Sequence, residues 1–186
     1  MIRIIAGSHK NRPIKTVPGD ETRPTSSLVR KALFDIVRDI AGGRVLDLFS
    51  GTGAIALEAL SRGAAAAVAI ESAKPAVDTI RANAAALGLA DRLTLVNADV
   101  LDALRRPDAP WSAQGRFALI YADPPYSFDR WDQLCDLAIR FLNLSGILAV
   151  EHGDDVAISA SSSWTSPRDY RYGGSVISVM KPLLPI

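Results

Sequence analysis

The sequence predicts an α/β fold in which a mostly parallel β-sheet is covered by helices on both faces. Two observations support this prediction: from about residue 44 onward, short apolar runs alternate with segments of helical periodicity, and each run ends at or near an acidic residue. Strands that alternate with helices form parallel sheets, because each helix carries the chain back to the edge at which the next strand begins. The length of 186 residues suits one domain of this kind.

The strands are predicted at short runs rich in Val, Ile, Leu and Ala, at residues 44–49, 66–70, 93–96, 117–122 and 146–150. One helix is predicted at 54–62, before Gly63, and another at 74–87, with Pro75 in its first turn and Gly88 after its end. The segment 128–142 also has its apolar residues at helical spacing. Residues 169–172 and 175–179 flank two glycines and predict a hairpin at the end of the chain.

Residues 1–40 lie outside this alternation and are predicted to form an extension of the main domain at 41–186. The segments 3–5 and 13–17 can pair across a loop at 7–12. Thr25 or Ser26 can then cap a helix that runs to about residue 40. Helical spacing places five apolar residues on its inward face: Leu28, Ala32, Leu33, Ile36 and Ile40.

The extension is basic, whereas the remainder of the chain is mildly acidic. Residues 1–31 contain seven Lys or Arg and two acids, a net charge of +5, so the chain's +1 leaves −4 for the rest. This asymmetry predicts contact with an anion such as a phosphate backbone, although an ordinary solvated basic face has the same composition. No apolar run reaches the roughly 20 residues that cross a bilayer, and one cysteine cannot form an internal disulfide. We therefore expect a cytoplasmic protein without a membrane partner.

Five acidic residues lie at or just beyond the ends of five successive predicted strands: Asp47, Glu71, Asp99, Asp123 and Glu151. Ligands of parallel sheets bind beyond the carboxyl ends of the strands, so these acids predict a site at that edge. For Glu151 two interpretations stay open, since it can orient a neighbouring group or simply end a strand at water.

The glycine loop Ser50-Gly-Thr-Gly53 allows two cofactors. Gly51-x-Gly53-x-x-Ala56, with Glu71 twenty residues after Gly51, satisfies the dinucleotide fingerprint. However, Asp47 just before the loop would repel a pyrophosphate, whereas it suits the cationic methionine end of S-adenosylmethionine. In that interpretation Glu71 accepts the ribose hydroxyls and Asp99 accepts the adenine amino group. The acid before the glycines favours the methyl donor.

Asp123-Pro-Pro-Tyr126 is the most specific motif of the chain. The two prolines end the strand ladder and leave the Pro124 carbonyl without a strand partner. Asp123 supplies a second acceptor, and Tyr126 supplies an aromatic face for an extruded base. Two acceptors can hold the two N–H groups of an exocyclic amine, and the carboxylate stabilises the charge that grows on its nitrogen. The motif predicts methylation of an amino group on a nucleic-acid base.

Nearly the whole chain resembles the RsmD family of small-subunit ribosomal RNA guanine-N(2)-methyltransferases. The resemblance includes the following segments: Arg3-Ile-Ile-Ala-Gly7, Arg23-Pro-Thr25, Val29-Arg30, Leu33-Phe34, Asp47-Leu-Phe-Ser-Gly-Thr-Gly53, Leu57-Glu-Ala-Leu-Ser-Arg-Gly63 and Asp123-Pro-Pro-Tyr126, with Glu71, Asp99 and Glu151. The chain departs from the family pattern at Lys31, where an acid is common, and at Thr25-Ser26-Ser27, which keeps only part of a Thr-Asp-Arg sequence.

The resemblance implies a Rossmann-like, S-adenosylmethionine-dependent methyltransferase fold with a mostly parallel seven-stranded sheet and an antiparallel last strand. A small hairpin-and-helix extension at 1–40 would contribute to RNA binding. The implied substrate is a guanine of 16S ribosomal RNA, within a small ribosomal subunit or its assembly intermediate, and no metal is expected. The implied site has three parts: Asp123, Pro124 and Tyr126 for the guanine; Asp47, Gly51, Gly53, Glu71, Ala98 and Asp99 for the donor; Arg12, Arg23, Arg30 and Lys31 for the RNA.

Three other functions stay open at this point. The acceptor can be the 6-amino group of adenine in DNA or RNA, the cofactor can be a nicotinamide nucleotide, or the chain can be a non-catalytic RNA-binding module. Cys135 shares an apolar face with Trp131, Leu134 and Ala138 and is expected to be a core thiol. It lacks the preceding proline of a cytosine 5-methyltransferase nucleophile, which argues against methylation of a ring carbon.

Overall fold

The computed structural model describes residues 2–18, 27–158 and 161–183. Two short strands, β1 (Ile2–Arg3) and β2 (Pro13–Ile14), and helix α1 (Ser27–Val37) come first. The later strands are β3 (Arg44–Leu48), β4 (Ala66–Glu71), β5 (Leu93–Asn97), β6 (Phe117–Ala122), β7 (Leu142–Gly153), β8 (Arg168–Tyr172) and β9 (Ser175–Met180). The later helices are α2 (Ala54–Ser61), α3 (Lys74–Leu87), α4 (Val100–Leu104) and α5 (Trp131–Ala138), with short 3₁₀ turns at Ala90–Arg92 and Ile139–Phe141.

Strands β3 to β9 form one seven-stranded sheet in the order β5-β4-β3-β6-β7-β9-β8. The pairs among β5, β4, β3, β6 and β7 are parallel, whereas β9 is antiparallel to both β7 and β8. The predicted Rossmann-like sheet with a reversed last strand is therefore confirmed. From β3 the chain first adds β4 and β5 on one side and then returns to add β6 on the other. The switch point of the sheet thus lies between β3 and β6.

The two faces of the sheet are covered by different helices. Helices α1, α2 and α3 pack on one face, around core residues such as Leu33, Leu57 and Ile80. Helices α4 and α5 pack on the other, around Leu104 and Leu134. Every residue of α2 is buried, because this helix lies between the sheet and the N-terminal extension. No helix among the described residues is long and apolar enough to cross a membrane.

Most element boundaries agree with the sequence, and α1 differs in an informative way. The helix α3 and the strand β6 have the predicted bounds, while β7 begins four residues before the predicted strand. The expectation that Leu28 faces inward is wrong, since it is 60% exposed and Val29 is buried instead. The buried stripe is rotated because Arg30 also points inward, toward a buried carboxylate on α2. The proposed cap residues Thr25 and Ser26 lie outside the described residues.

The N-terminal hairpin packs against the main body. Ile2 pairs with Ile14 across the antiparallel β1–β2 ladder, as the sequence predicts. Ile4 and Ile14 are buried in the same apolar cluster as Leu57 and Ile80 from helices α2 and α3. The hairpin therefore shares the core of the main domain, and the division at residue 40 stays a prediction.

Candidate active site

Asp47 lies at the switch point, one residue before the end of strand β3 and just ahead of the glycine loop. Its side chain is 1% exposed, and its Oδ2 accepts the N–H of Ala56 at 3.0 Å. Burial raises the pKa of Asp47 well above its ordinary value, the Ala56 N–H opposes this, and the Asp123 and Glu71 carboxylates raise it further. Within the described residues no cationic side chain pairs with Asp47. A cation bound next to this buried carboxylate would stabilise its charged form.

The glycine loop needs its two glycines for different reasons. Gly51 has φ 52°, yet a Cβ built there would meet nothing within 4 Å. Gly53 has φ 75°, and its Cβ would lie 3.1 Å from Cγ2 of Ile80 on α3. Gly53 therefore serves the packing of the loop on α3, while Gly51 turns the backbone beside open space.

Glu71 ends strand β4 and holds the glycine loop in place. Its Oε2 accepts the N–H of Gly51 at 2.8 Å, and its Oε1 accepts the N–H of Ala73 at 2.8 Å. The sequence placed Glu71 at the cofactor, and the structure gives it an additional structural task. Each carboxylate oxygen keeps a further lone pair for a ligand hydroxyl.

Ala98 and Asp99 directly follow strand β5, which pairs with β4, so they lie next to Glu71 at the same edge of the sheet. The Ala98 N–H donates to the Glu71 carbonyl at 3.1 Å. Asp99 is exposed, and its Oδ1 accepts the N–H of Asp102 at 3.0 Å as the N-cap of α4. The cap occupies Oδ1, so Oδ2 of Asp99 can accept from a ligand at the same time.

The Asp-Pro-Pro-Tyr turn begins one residue after strand β6 ends. Asp123 is half-buried and Pro124 is buried, whereas Tyr126 is 93% exposed. The Asp123 N–H lies 3.5 Å from the Leu48 carbonyl, which ties the turn to the end of β3. The turn therefore stands next to the glycine loop, with its aromatic ring open to solvent.

Tyr121 is a site residue that the sequence analysis missed. Asp47 is paired with Tyr121 in the β3–β6 register, and Tyr121 with Ala149 in the β6–β7 register. Since side chains alternate along a strand, Asp47, Tyr121 and Glu151 all face the α1–α2 side of the sheet, and the Asp123 carboxylate is close enough to raise the pKa of Asp47 and Tyr121. The same two-residue alternation back from Asp123 could have identified Tyr121 from the sequence.

The Tyr121 hydroxyl donates to Oε2 of Glu151, and both side chains are buried. Burial, and then the carboxylates of Asp123 and Glu151, raise the pKa of Tyr121 well above its ordinary value. The phenol therefore stays protonated and donates. Of the two interpretations left open for Glu151, the structure supports the one in which it orients a neighbour, because Glu151 lies inside β7 at 8% exposure and not at a strand end in water.

Among the four residues predicted to bind RNA, Arg12 and Lys31 are exposed. Arg12 Nη2 donates to the Ala86 carbonyl at 3.0 Å near the end of α3. Lys31 Nζ pairs with Asp35 at 2.6 Å along α1. Arg23 lies outside the described residues.

The expectation for Arg30 is corrected by the structure. Its side chain is 1% exposed, with Nη2 2.6 Å from the Arg3 carbonyl and Nε 3.8 Å from Oε2 of Glu58. A guanidinium in this position cannot reach an RNA phosphate. Its charge faces inward because Glu58 is also fully buried, and a buried charge requires a partner.

Glu58 is a second residue that the sequence analysis missed. Its two oxygens accept the N–H groups of Ile5 at 2.7 Å and Ala6 at 2.9 Å, and Oε1 also accepts from Nε of Arg62 at 2.8 Å. One carboxylate thus fixes the N-terminal strand to α2. The signal in the sequence was a lone acid within an otherwise apolar helix.

Two polar residues complete this attachment. Ser61 accepts the Ser8 N–H at its carbonyl at 2.8 Å, and its hydroxyl donates to the Ala6 carbonyl at 2.6 Å. Asn83 on α3 accepts the Lys15 N–H at 2.8 Å, and its amide donates to the carbonyls of Lys15 and Thr52, each at 3.1 Å. Asn83 therefore links the segment after β2 to the glycine loop.

Cys135 is a core thiol, as predicted. It is 1% exposed, and burial raises its pKa to about 12. A thiol in this state is not a nucleophile. In addition, no three His, Cys, Asp or Glu residues of the described chain come together as a metal site.

Comparison with known proteins identifies the family to which this site belongs. A family model described as "Conserved hypothetical protein 95" matches residues 2–181. "Ribosomal RNA small subunit methyltransferase D" of Escherichia coli (strain K12) is 33% identical over 151 residues, covering 81% of this chain and 71% of that protein. The chain belongs to the RsmD family. "Putative rRNA methyltransferase YlbH" of Bacillus subtilis is similar over more of the chain, with 30% identity across 97% of it and 98% of that protein.

The fold agrees with this membership. The solved structure "Putative methyltransferase yhhF from Escherichia coli" has a TM-score of 0.83 at 26% identity, and the match covers 97% of each chain. The agreement extends over the N-terminal extension as well as the sheet.

Proposed function

We propose that this chain transfers a methyl group from S-adenosylmethionine to the exocyclic 2-amino group of a guanine in 16S ribosomal RNA. The observation that carries the proposal is that Asp123 directly follows β6, next to Asp47 on β3 at the switch point, where its carboxylate is close enough to raise the pKa of Asp47. This brings the glycine loop and the Asp-Pro-Pro-Tyr turn side by side. The names of the relatives support methyl transfer to ribosomal RNA, and the choice of guanine follows from the RsmD resemblance.

The glycine-loop half of the site suits the donor. S-adenosylmethionine supplies a methyl group on a positively charged sulfur, together with an ammonium, a ribose and an adenine. The buried Asp47, unpaired among the described cations, would hold the ammonium, and the remaining lone pairs of Glu71 would accept ribose hydroxyls. Ala98 and Asp99 would border the adenine, with Asp99 accepting from its amino group. Gly51 leaves the space that such a ligand needs.

The turn after β6 suits the acceptor base. Tyr126, exposed and in a loop, would stack on the base, while Asp123 and the Pro124 carbonyl each accept one N–H of the amine. Holding both N–H groups favours a nitrogen lone pair directed at the methyl group, and the Asp123 carboxylate stabilises the charge that develops on nitrogen. Tyr121, whose hydroxyl donates to Glu151, lies close enough to the Asp123 carboxylate to help keep it in position. Because Tyr121 is protonated, it is not the base. S-adenosylhomocysteine would leave after the transfer, and the proton of the methylated amine would pass to Asp123 or to water.

The RNA would approach from the side of the extension, where Arg12 and Lys31 are exposed, and Arg23 remains part of this proposal. A small ribosomal subunit or its assembly intermediate is the substrate that the resemblance implies. Such a substrate would place the enzyme in the cytoplasm.

Asp123→Ala tests the proposal, with Asp129→Ala as the matched control because Asp129 is an exposed acid in the same segment. Transfer of isotope-labelled methyl groups to small subunits from a strain that lacks the modification is expected to fall by at least about 100-fold in Asp123→Ala. Donor binding, measured by calorimetry, is expected to persist in both variants. Unchanged transfer by Asp123→Ala would contradict the proposed site.

Mapping the methylated nucleotide tests the base. A methyl group on the 2-amino group of guanine supports the proposal, whereas one on the 6-amino group of adenine contradicts it.

A thermal-shift comparison of S-adenosylmethionine with NAD tests the cofactor. The compound that binds the folded chain raises its unfolding midpoint, and the other does not.

A further inference from the structure

A groove lies between the C-terminal end of α1 and the outer strands of the sheet, away from the candidate active site. It has a volume of about 590 Å³ and an apolar floor that includes Ile36, Ile147 and Val179. Helix α1 covers the central strands of this face, and the groove opens where β9 and β8 continue beyond the helix. The floor is formed by the sheet, so the groove is a fixed feature of the fold.

Three cationic side chains surround the groove: Arg38 at the end of α1, Arg168 on β8 and Lys181 after β9. All three are exposed, and within the described residues none of them forms an ion pair. The lining contains one acid, Asp35, whose charge is paired with Lys31 at 2.6 Å. The groove therefore carries an uncompensated positive charge.

Strand β8 adds aromatic rings to this charge. Arg168, Tyr170 and Tyr172 alternate along the strand and so share the groove face. The guanidinium carbon of Arg168 lies 5.2 Å from the ring centroid of Tyr170, a cation–π distance. The acid of this strand, Asp169, faces the other way, where its Oδ1 accepts the Ser178 hydroxyl at 2.6 Å.

We propose that this basic groove is a second RNA-binding surface, which takes a phosphate backbone along Arg38, Arg168 and Lys181 and a base against Tyr170. Grooves that combine cations with exposed rings suit RNA, because the cations attract the backbone and the rings stack on unpaired bases. Arginine adds planar, bidentate recognition of phosphate. The surface rests on the proposed function in one respect, namely that the substrate is RNA.

The position of the groove explains why a large RNA would need it. Helix α1 ends shortly before β3 begins, so its C-terminal end lies near the edge of the sheet opposite the candidate active site. Its exposed side carries Arg38 and also Lys31, whose charge is paired with Asp35. An RNA that places one base in the cleft can continue along α1 and be held again at β8.

The test compares two variants that each lose three positive charges. The groove variant is Arg38→Gln with Arg168→Gln and Lys181→Gln. The control is Arg81→Gln with Arg105→Gln and Arg106→Gln, three exposed cations on α3 and at the end of α4. It matches the number of charges removed, although Arg81 and Arg105 are paired with Asp78 and Asp102, unlike the groove cations. Binding of a 16S ribosomal RNA transcript is measured without any methyl donor, between about 50 and 200 mM salt.

The groove variant is expected to bind at least about tenfold more weakly, with a salt dependence reduced by about two to three units of log K per log of salt concentration. The control variant is expected to keep the wild-type slope. Tyr170→Leu should weaken binding without changing the slope, since it removes stacking and leaves the charges.

Equal slopes for the groove variant and wild type would overturn the inference. It would also fail if the groove variant binds RNA normally but aggregates, because the charges would then serve only to protect the edge strand β8. Binding to small-subunit proteins that is lost while RNA binding is kept would likewise overturn it. These outcomes are separate from those that test the proposed function, which are measured as methyl transfer and as the identity of the methylated base, and not as RNA binding.

Discussion

Replacing Glu58 by alanine is expected to release the N-terminal hairpin and to destabilise the whole domain. The carboxylate is fully buried and accepts the N–H groups of Ile5 and Ala6 and the Nε–H of Arg62. It also faces Arg30, whose guanidinium is 1% exposed. Without Glu58, two peptide N–H groups lose their acceptor and a buried cation loses its countercharge.

The size of the effect follows from these contacts. Removal of one partner of a buried ion pair costs about 3–5 kcal/mol, and two charge-assisted hydrogen bonds at about 1.5–3 kcal/mol each give a similar figure. For a chain of 186 residues this corresponds to a decrease of roughly 6–20 °C in the unfolding midpoint. Thermal and denaturant unfolding measure the loss, and hydrogen exchange at Ile5 and Ala6 locates it.

Asp78→Ala is the matched control for this experiment. Asp78 also forms two ion pairs, with Lys74 at 3.0 Å and Arg81 at 2.8 Å, but its side chain is 50% exposed. Exposed pairs contribute little, so this variant should unfold close to wild type. If Glu58→Ala is as stable as Asp78→Ala and its Ile5 and Ala6 amides exchange at the wild-type rate, the assignment of Glu58 is refuted.

Gly7→Ala should destabilise the fold by about 1–3 kcal/mol more than Gly42→Ala in denaturant unfolding, because both have positive φ but only the Gly7 Cβ would collide, 1.9 Å from the Ser61 carbonyl oxygen. Equal losses would contradict the close approach. Burial raises the pKa of Asp47 in the folded chain above its value in the unfolded chain. Asp47 therefore stabilises the fold below the unfolded-state pKa, and this contribution is lost as the pH rises through the folded-state pKa. Asp47→Asn should therefore unfold at a higher denaturant concentration than wild type at neutral pH while binding the donor more weakly, and a pH-independent difference would argue against this. Tyr126→Ala should lower kcat/KM on RNA by roughly 5- to 150-fold, the equivalent of about 1–3 kcal/mol of stacking, without a change in the unfolding midpoint; an unchanged kcat/KM would exclude Tyr126 from the base site.

The sheet and its functional edge could be predicted from the sequence because both depend on local pattern. A buried strand is a short apolar run, and the acids Asp47, Glu71 and Asp123 lie near the end of such a run or directly after it. Parallel topology then brings those strand ends to one edge without any knowledge of long-range contacts. The reversed last strand was available only through the family resemblance.

The interior charges could not be predicted in the same way. An arginine in a basic segment normally faces solvent, so Arg30 was predicted to bind RNA. Only the fold shows that Arg30 lies next to the buried Glu58 carboxylate. Helical spacing also placed Leu28 inward. The face of α1 that is buried depends on the contact between Arg30 and Glu58, which lie 28 residues apart in the chain, and spacing alone does not reveal this contact. Tyr121 could have been found by counting two residues back from Asp123, but its hydrogen bond to Glu151 depends on the β6–β7 register.

Asn83 connects the N-terminal extension to the glycine loop through hydrogen bonds of a single side chain. Its amide reaches both the Thr52 carbonyl in the glycine loop and the Lys15 backbone in the segment that leads toward α1. The segment after β2 and the glycine loop therefore share one restraint, and loss of the Asn83 amide would release the Lys15 backbone and the Thr52 carbonyl at the same time.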